Sequence, residues 1–249
     1  MERIVLWPRP APRALEILWT DVRPLGAEDA AEWAETLPDD EQVRFRRFRH
    51  TRGAHEFLAG RLLVRTWLAA LTGQPRNTWI FRSGPYGRPE LDAPDWHFNL
   101  AHSGGIVACV LTRGREAGVD VEDLDRRAMD EGLWSRYCAP REVADILAQP
   151  VEARQERFLT YWTLKEAYLK ARGLGIAVPL ADIAFVLEPT GAPRVTFERS
   201  LVGTSTAWAL GLTQAGPRHL LSWATPTDAD EPSVEVAIHP IALDELAPR

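Results

Sequence analysis

The stretch FLTYWTLKEAYLKARGLG, residues 158–175, holds Lys165 and Lys170, the only lysines among 29 basic residues of the chain. Counting 100° per residue from Phe158 puts Trp162 at about 40°, Leu169 at about 20° and Lys165 at about 340°, the spacing of a helix with one apolar stripe. Lys165 falls inside that stripe, whereas Glu166 and Lys170 sit on its flank at about 80° and about 120°. A desolvated, unpaired ammonium costs several kcal/mol, so Lys165 must either snorkel or meet an anion. A surface pair between Glu166 and Lys170 at i,i+4 is worth only ~0.2–0.5 kcal/mol, and it accounts for the flank without accounting for Lys165.

Upstream, GVDVEDL at residues 118–124 alternates as a strand, with Asp120 and Glu122 on one face and Val119 and Val121 on the other. Two carboxylates so placed repel each other unless water or a cation separates them. A hard divalent ion such as Mg²⁺ takes about one to three carboxylates and fills the rest of its shell with water and phosphate. A solvated acidic hairpin edge is the plainer reading of the same spacing. FNLAHSGG at residues 98–105 brings Asn99, His102, Ser103 and two glycines to the end of a strand, where backbone N–H groups and an imidazole can approach a phosphate. His102 also fits a catalytic base or a structural hydrogen-bonder.

Farther out, AHEFLAGRLLVRTWLAALTG spaces Phe57, Leu58, Leu62, Trp67, Leu68 and Leu71 for a long core helix that stops at Gly73. ALEILWTDV reads as a strand, and helical segments broken at Pro38 precede that helix. HFNLAHSGGIVACVLTR is expected as a strand leaving a glycine loop, completed as a hairpin by REAGVDVEDL. Residues 130–172 are again helical, broken at Pro140 and Pro150, and strands finish the chain. Helices followed by antiparallel strands, twice over, argue for an α+β fold and against a doubly wound parallel sheet. The seam lies near residues 113–118, giving subdomains 1–115 and 116–249.

The composition, 45% hydrophobic and 26% charged, is that of a globular chain, and no run approaches the ~20 apolar residues of a membrane span. The N-terminus lacks an apolar signal region, so a cytoplasmic protein is expected. Cys109 and Cys138 stand apart from any CxxC spacing and are expected as reduced thiols. Net charge is −6, which disfavours nucleic acid as a partner, although RFRRFRHTR at residues 44–52 is a strong local basic cluster.

FNLAHS, GVDVE and FLTYWTLKEAYLKARGLG, in this order and spacing, resemble the signature motifs of 4'-phosphopantetheinyl transferases, in particular the surfactin-type single-chain branch. YGRP at residues 86–89 is similar to a fourth motif, and RFRRFRHTRGAHEFLAGRLLVR to that branch's N-terminal helix region. The resemblance implies two similar α+β subdomains related by pseudo-twofold symmetry, with coenzyme A in the cleft between them. It implies transfer of the phosphopantetheine arm of coenzyme A to a serine of an apo acyl or peptidyl carrier domain, with release of adenosine 3',5'-bisphosphate, by a monomer using Mg²⁺ or Mn²⁺ in its place. Asp120, Glu122 and Glu166 match the metal-binding acids, with Glu166 also the base. Lys165 and Lys170 match the basic pair, and His102, followed by Ser103, the phosphate-contacting histidine. Arg44, Arg65, and Arg88 with Pro89 match further coenzyme A contacts. Ala101, Glu41 and Glu56 depart from the pattern where a serine and two basic residues are usual. A coenzyme A-binding module without transferase activity is the rival reading, disfavoured by the intact acids.

Overall fold

The computed structural model describes residues 7–9, 14–84, 89–93, 95–174, 178–188, 191–197, 207–227 and 234–248. The chain divides into two compact units, residues 1–114 with 235–249, and residues 115–234. Both combine helices with antiparallel ladders, so the fold is α+β. Among the described residues no helix is long and apolar enough to cross a membrane.

The first unit opens with strand β1 (Ala14–Asp21), followed by helices α1 (Ala27–Ala34), α2 (Asp39–Arg46) and α3 (Thr51–Thr72). Pro38 caps α2, which is why the helical pattern breaks there. Helix α3 ends where Gly73 adopts φ 73°, a left-handed turn open to glycine. A short ladder, β2 (Phe81–Ser83) with β3 (Pro89–Leu91), leads to β4 (Trp96–Ser103) and β5 (Ile106–Arg113). Gly104 and Gly105, with φ of 57° and 91°, form the turn that joins β4 directly to β5 as a hairpin. Leu58, Leu62, Leu63 and Trp67 of α3 pack on Val107, Cys109 and Leu111 of β5. Cys109 and Cys138 are both buried and unbridged.

The second unit contains β6 (Gly118–Asp123), α4 (Trp134–Tyr137), α5 (Pro140–Ala148), α6 (Arg154–Arg172), β7 (Ile183–Val186), β8 (Arg194–Phe197), β9 (Ala207–Gln214) and β10 (His219–Thr227). Its sheet runs β6-β10-β9, all antiparallel. The expected hairpin between β5 and β6 is therefore not formed: β5 lies between β4 and β1, and β6 pairs with β10 instead. The tight glycine turn had already supplied β5 with its hairpin partner. A second correction concerns the end of the chain. Strand β11 (Glu235–Pro240) runs parallel to β1 at the edge of the first unit's sheet, so the second unit stops at Val234.

Candidate functional site

In the second unit, β6 is buried along its whole length against α6. Gly118 makes the close approach possible: a Cβ there would lie 2.1 Å from the Ala167 carbonyl oxygen and 2.5 Å from the Ala171 nitrogen. With the strand on the helix backbone, Lys170 Nζ donates to Asp120 Oδ1 at 2.7 Å and to the Val119 carbonyl at 3.2 Å. Burial raises the Asp120 carboxyl to about 7; Lys170 opposes this, and the charges of Glu122 and Glu166 add to it. Burial also raises Glu166, again with Lys170 opposing and Glu122 adding. Asp120, Glu122, Glu166 and Lys170 thus share one electrostatic neighbourhood.

Asp120 Oδ2 and Glu166 Oε1 are both buried and accept no hydrogen bond from the described residues. Unsolvated carboxylate oxygens are costly unless a cation or donor completes them. Glu122 is already engaged: its Oε1 accepts the Trp162 indole N–H at 2.8 Å and Arg126 at 2.5 Å. As the side chains stand, no group of three His, Cys, Asp or Glu among the described residues is arranged to hold a metal ion. The donor set suits a hard cation chemically at Asp120 and Glu166, and at Glu122 once its oxygen is exchanged from Arg126.

Lys165 corrects the sequence reading. Its side chain is wholly buried, its Nζ lies 2.7 Å from Glu142 Oε2, and it also donates to the carbonyls of Leu180 and Ile183. Three acceptors use the three donors of an ammonium. The anion demanded by its place in the apolar stripe is therefore Glu142 on α5, inside the unit, and no donor remains for a phosphate. Glu142 in turn accepts the backbone N–H groups of Ala139 and Phe185, each at 2.7 Å. Burial disfavours both charges, raising Glu142 and lowering Lys165, and their mutual attraction opposes it.

The first unit carries a cavity of about 280 Å³ whose lining includes Arg44, Arg61, Pro89, Ala101 and His102. His102 projects from β4 with its ring 57% exposed, and Nδ1 lies 3.0 Å from Glu56 Oε2. The other Glu56 oxygen accepts the Gly105 N–H at 2.8 Å. Burial alone would raise Glu56, but the hydrogen bonds from His102 and Gly105 and the charge of Arg52 bring it below its usual value. Glu56, where a basic residue was expected, orients the histidine and ties the glycine turn to α3. Arg44 stacks over Phe57 at 5.1 Å. Ser103 ends β4 beside the turn. Arg88 lies outside the described residues.

Arg65 is a second correction. It is 1% exposed, with Nη1 3.0 Å from Glu41 Oε2 and Nη2 donating to the Trp79 carbonyl at 3.3 Å, and it does not line the cavity. The residue that the sequence reading missed is Arg61, one helical turn earlier. Its Nε pairs with Glu41 at 3.2 Å, its plane lies over Phe57 and Phe81, and its buried Nη1 has no hydrogen-bond acceptor among the described residues. Burial lowers this guanidinium to about 10, with Glu41 opposing, which leaves it charged at neutral pH. Glu41 at an often-basic position was the available signal, since a buried acid there needs an inward-facing arginine.

Comparison with known proteins bears on both units. Residues 116–222 match the family model described as the 4'-phosphopantetheinyl transferase superfamily, and residues 25–113 one described as 4'-phosphopantetheinyl transferase, N-terminal. A 4'-phosphopantetheinyl transferase of Bacillus subtilis is 30% identical over 170 residues, 68% of this chain and 75% of the relative. The 4'-phosphopantetheinyl transferase HetI of a Nostoc strain is 35% identical over 181 residues, 71% of this chain and 73% of the relative. The 4'-phosphopantetheinyl transferase Sfp of Bacillus subtilis strain 168 is 29% identical over 170 residues, covering 68% and 75%.

Proposed function

Because the chain belongs to the 4'-phosphopantetheinyl transferase superfamily, we propose that it transfers the 4'-phosphopantetheine arm of coenzyme A to a serine of an apo acyl or peptidyl carrier domain, releasing adenosine 3',5'-bisphosphate. The observation that carries this reading is the pair of buried, unsatisfied oxygens on Asp120 and Glu166 beside the Lys170 ammonium. A site that merely binds a nucleotide has no use for unsolvated carboxylates.

In this reading Asp120, Glu122 and Glu166 would hold a Mg²⁺ ion, which would supply positive charge to offset that of the pyrophosphate. The chain's own groups do the rest. Glu166, its carboxyl raised above the ordinary value by burial, accepts the serine proton, directly or through water. The serine oxygen forms its bond to the β-phosphorus as the bond from that phosphorus to the bridging oxygen of the nucleotide breaks. Lys170 stands beside the acids to balance charge on the departing phosphate. His102, held by Glu56, and Arg44 and Arg61 in the cavity bind the anionic groups of coenzyme A, with Pro89 and Ser103 completing the contacts.

Incubation with coenzyme A, Mg²⁺ and an apo carrier is expected to add one phosphopantetheine to the carrier, read by intact mass. Binding of coenzyme A with no covalent gain on any of a panel of carriers would favour a regulatory module instead. Glu166→Gln is expected to lower the transfer rate by about 10²–10⁴-fold while leaving the unfolding midpoint unchanged, and near-normal turnover would remove the base role.

A further inference from the structure

A second cavity of the first unit, of about 320 Å³, takes no part in the site above. Thr51, Arg52 and His55 of α3 and Gly105 of the hairpin turn line it on the polar side, and Val22 and Leu25 on the apolar side. Counting 100° per residue from Thr51 places the three helix residues between 0° and about 100°. Glu56, Phe57, Gly60 and Arg61, which line the cavity of His102, run from about 140° to about 280°. The two cavities therefore lie against different sides of one helix. His55 is 8% exposed and lines the second cavity, yet its ring makes no hydrogen bond or ion pair among the described residues. Burial lowers its pKa, so at neutral pH the ring is uncharged, with one nitrogen a donor and the other an acceptor. An imidazole withdrawn from water is costly to leave unsatisfied, so its partner has to come from the cavity.

The groups around His55 identify that partner as an anion. Helix α3 is 22 residues long, its N-cap His50 makes no side-chain capping bond, and its first turn contains no acid. The start of such a helix offers backbone N–H groups and the positive end of the dipole to an anion. Arg52 acts on Glu56 by charge, but the Glu56 oxygens are taken by His102 and by the Gly105 N–H, so that acid does not consume the guanidinium's donors. Arg23 is paired with Asp21 and folds over Gly105, forming wall and not a binding group. A helix start, a guanidinium, a hydroxyl and an imidazole outnumber the two oxygens of a carboxylate and suit the three of a phosphate. The volume exceeds that of a bare ion and lies at the lower end for small-molecule sites, which run from about 300 Å³. We infer that this cavity binds a small phosphomonoester, with His55, Arg52, Thr51 and the first N–H groups of α3 around the phosphate and Val22 and Leu25 against the ester body. The site is separate from the transfer reaction, and its test needs neither coenzyme A nor carrier.

The test is calorimetric titration of the full chain with phenyl phosphate, inorganic phosphate and benzoate, with the His55 ring signal followed by NMR and assigned by its loss in His55→Gln. Phenyl phosphate is expected to bind more tightly than inorganic phosphate, at least about tenfold more tightly than benzoate, and to shift the His55 signal. Arg52→Gln is expected to weaken it about tenfold and Thr51→Val about threefold, whereas Arg44→Gln, which alters the cavity of His102, leaves it within about twofold. Thr51 and Arg52 are exposed, so these variants carry the test even where His55→Gln fails to fold. Absence of binding by phenyl phosphate would overturn the proposal, as would benzoate binding equally well or inorganic phosphate binding more tightly than the ester. Binding that leaves the His55 signal unmoved, or that Arg44→Gln weakens and Arg52→Gln does not, would place the ligand in the cavity of His102 and overturn it too.

Discussion

Lys165 and Lys170 stand five residues apart on one helix and live in different solvents. Lys170 reaches Asp120 of β6, while Lys165 is closed in with Glu142 and two carbonyls. Lys165→Met alone leaves the Glu142 charge buried without its cation and is expected to cost ~3–5 kcal/mol in urea unfolding. Lys165→Met with Glu142→Leu removes both charges and is expected to recover most of that loss together with normal transfer, since buried pairs replaced by apolar groups are often neutral in stability. A double variant that folds but transfers nothing would return Lys165 to the chemistry. The helical count at Lys165 showed that an anion was required, but it could not say which. Glu142 lies on another element, and the clue in the sequence was an acid four residues before Ile146, on the inward side of α5. Glu56 makes a pH-dependent counterpart. Its folded pKa lies below the ordinary carboxylate value, so the folded state binds fewer protons and stability rises with pH across that window. That contribution is complete above about 4.5, the unfolded value, and is lost as pH falls through the lowered folded one. The stability gap between the native chain and Glu56→Gln, followed by denaturant midpoint, is expected to shrink as pH drops from 6 to below 4; a gap independent of pH would refute the assignment.

At the scale of elements, the site depends on how closely β6 lies on α6. Gly118→Ala puts a methyl carbon against the backbone of Ala167 and Ala171, which cannot rotate away as a side chain would. The helix must move, costing ~1–3 kcal/mol, and the Lys170–Asp120 contact opens with it. The expected result is a folded variant with a lowered melting midpoint and transfer reduced more than Lys170→Arg would reduce it. A Gly118→Ala variant with native rates would show that the close approach is packing alone. The helices were legible because their signals are local: Pro38, Pro140 and Gly73 punctuate α2, α5 and α3 as their backbone chemistry requires. The partner of β6 was not, because strand pairing is settled at long range. Nothing in GVDVEDL distinguishes β5, a few residues before it, from β10, almost a hundred residues after it.

At the scale of the whole molecule, the chain crosses from the first unit to the second and then returns. Each unit has its own core: Leu58, Leu62 and Trp67 belong to one, and Phe158, Leu164 and Tyr168 to the other. The last strand supplies an edge to the first unit's sheet, pairing Leu15 with Val236 and Ile17 with Ile238, and Arg76 holds the final turn through the carbonyls of Leu246 and Ala247 at 3.0 and 3.2 Å. A boundary drawn from the sequence alone assigned this strand to the second unit, because local pattern identifies a strand without identifying its neighbour. Truncation after Val234 is therefore expected to damage the part of the chain most distant in sequence. It strips the ladder from β1, exposes its unpaired backbone groups, and removes Leu246 from the core beneath α3. In hydrogen exchange, α3 and β5 of the truncated chain are expected to lose protection, while α6 and β10 keep the rates they have in the full chain. Loss of protection in both units alike would show that they unfold as one body. Loss confined to the second would show that β11 stabilises the unit it follows in sequence and not the sheet it joins.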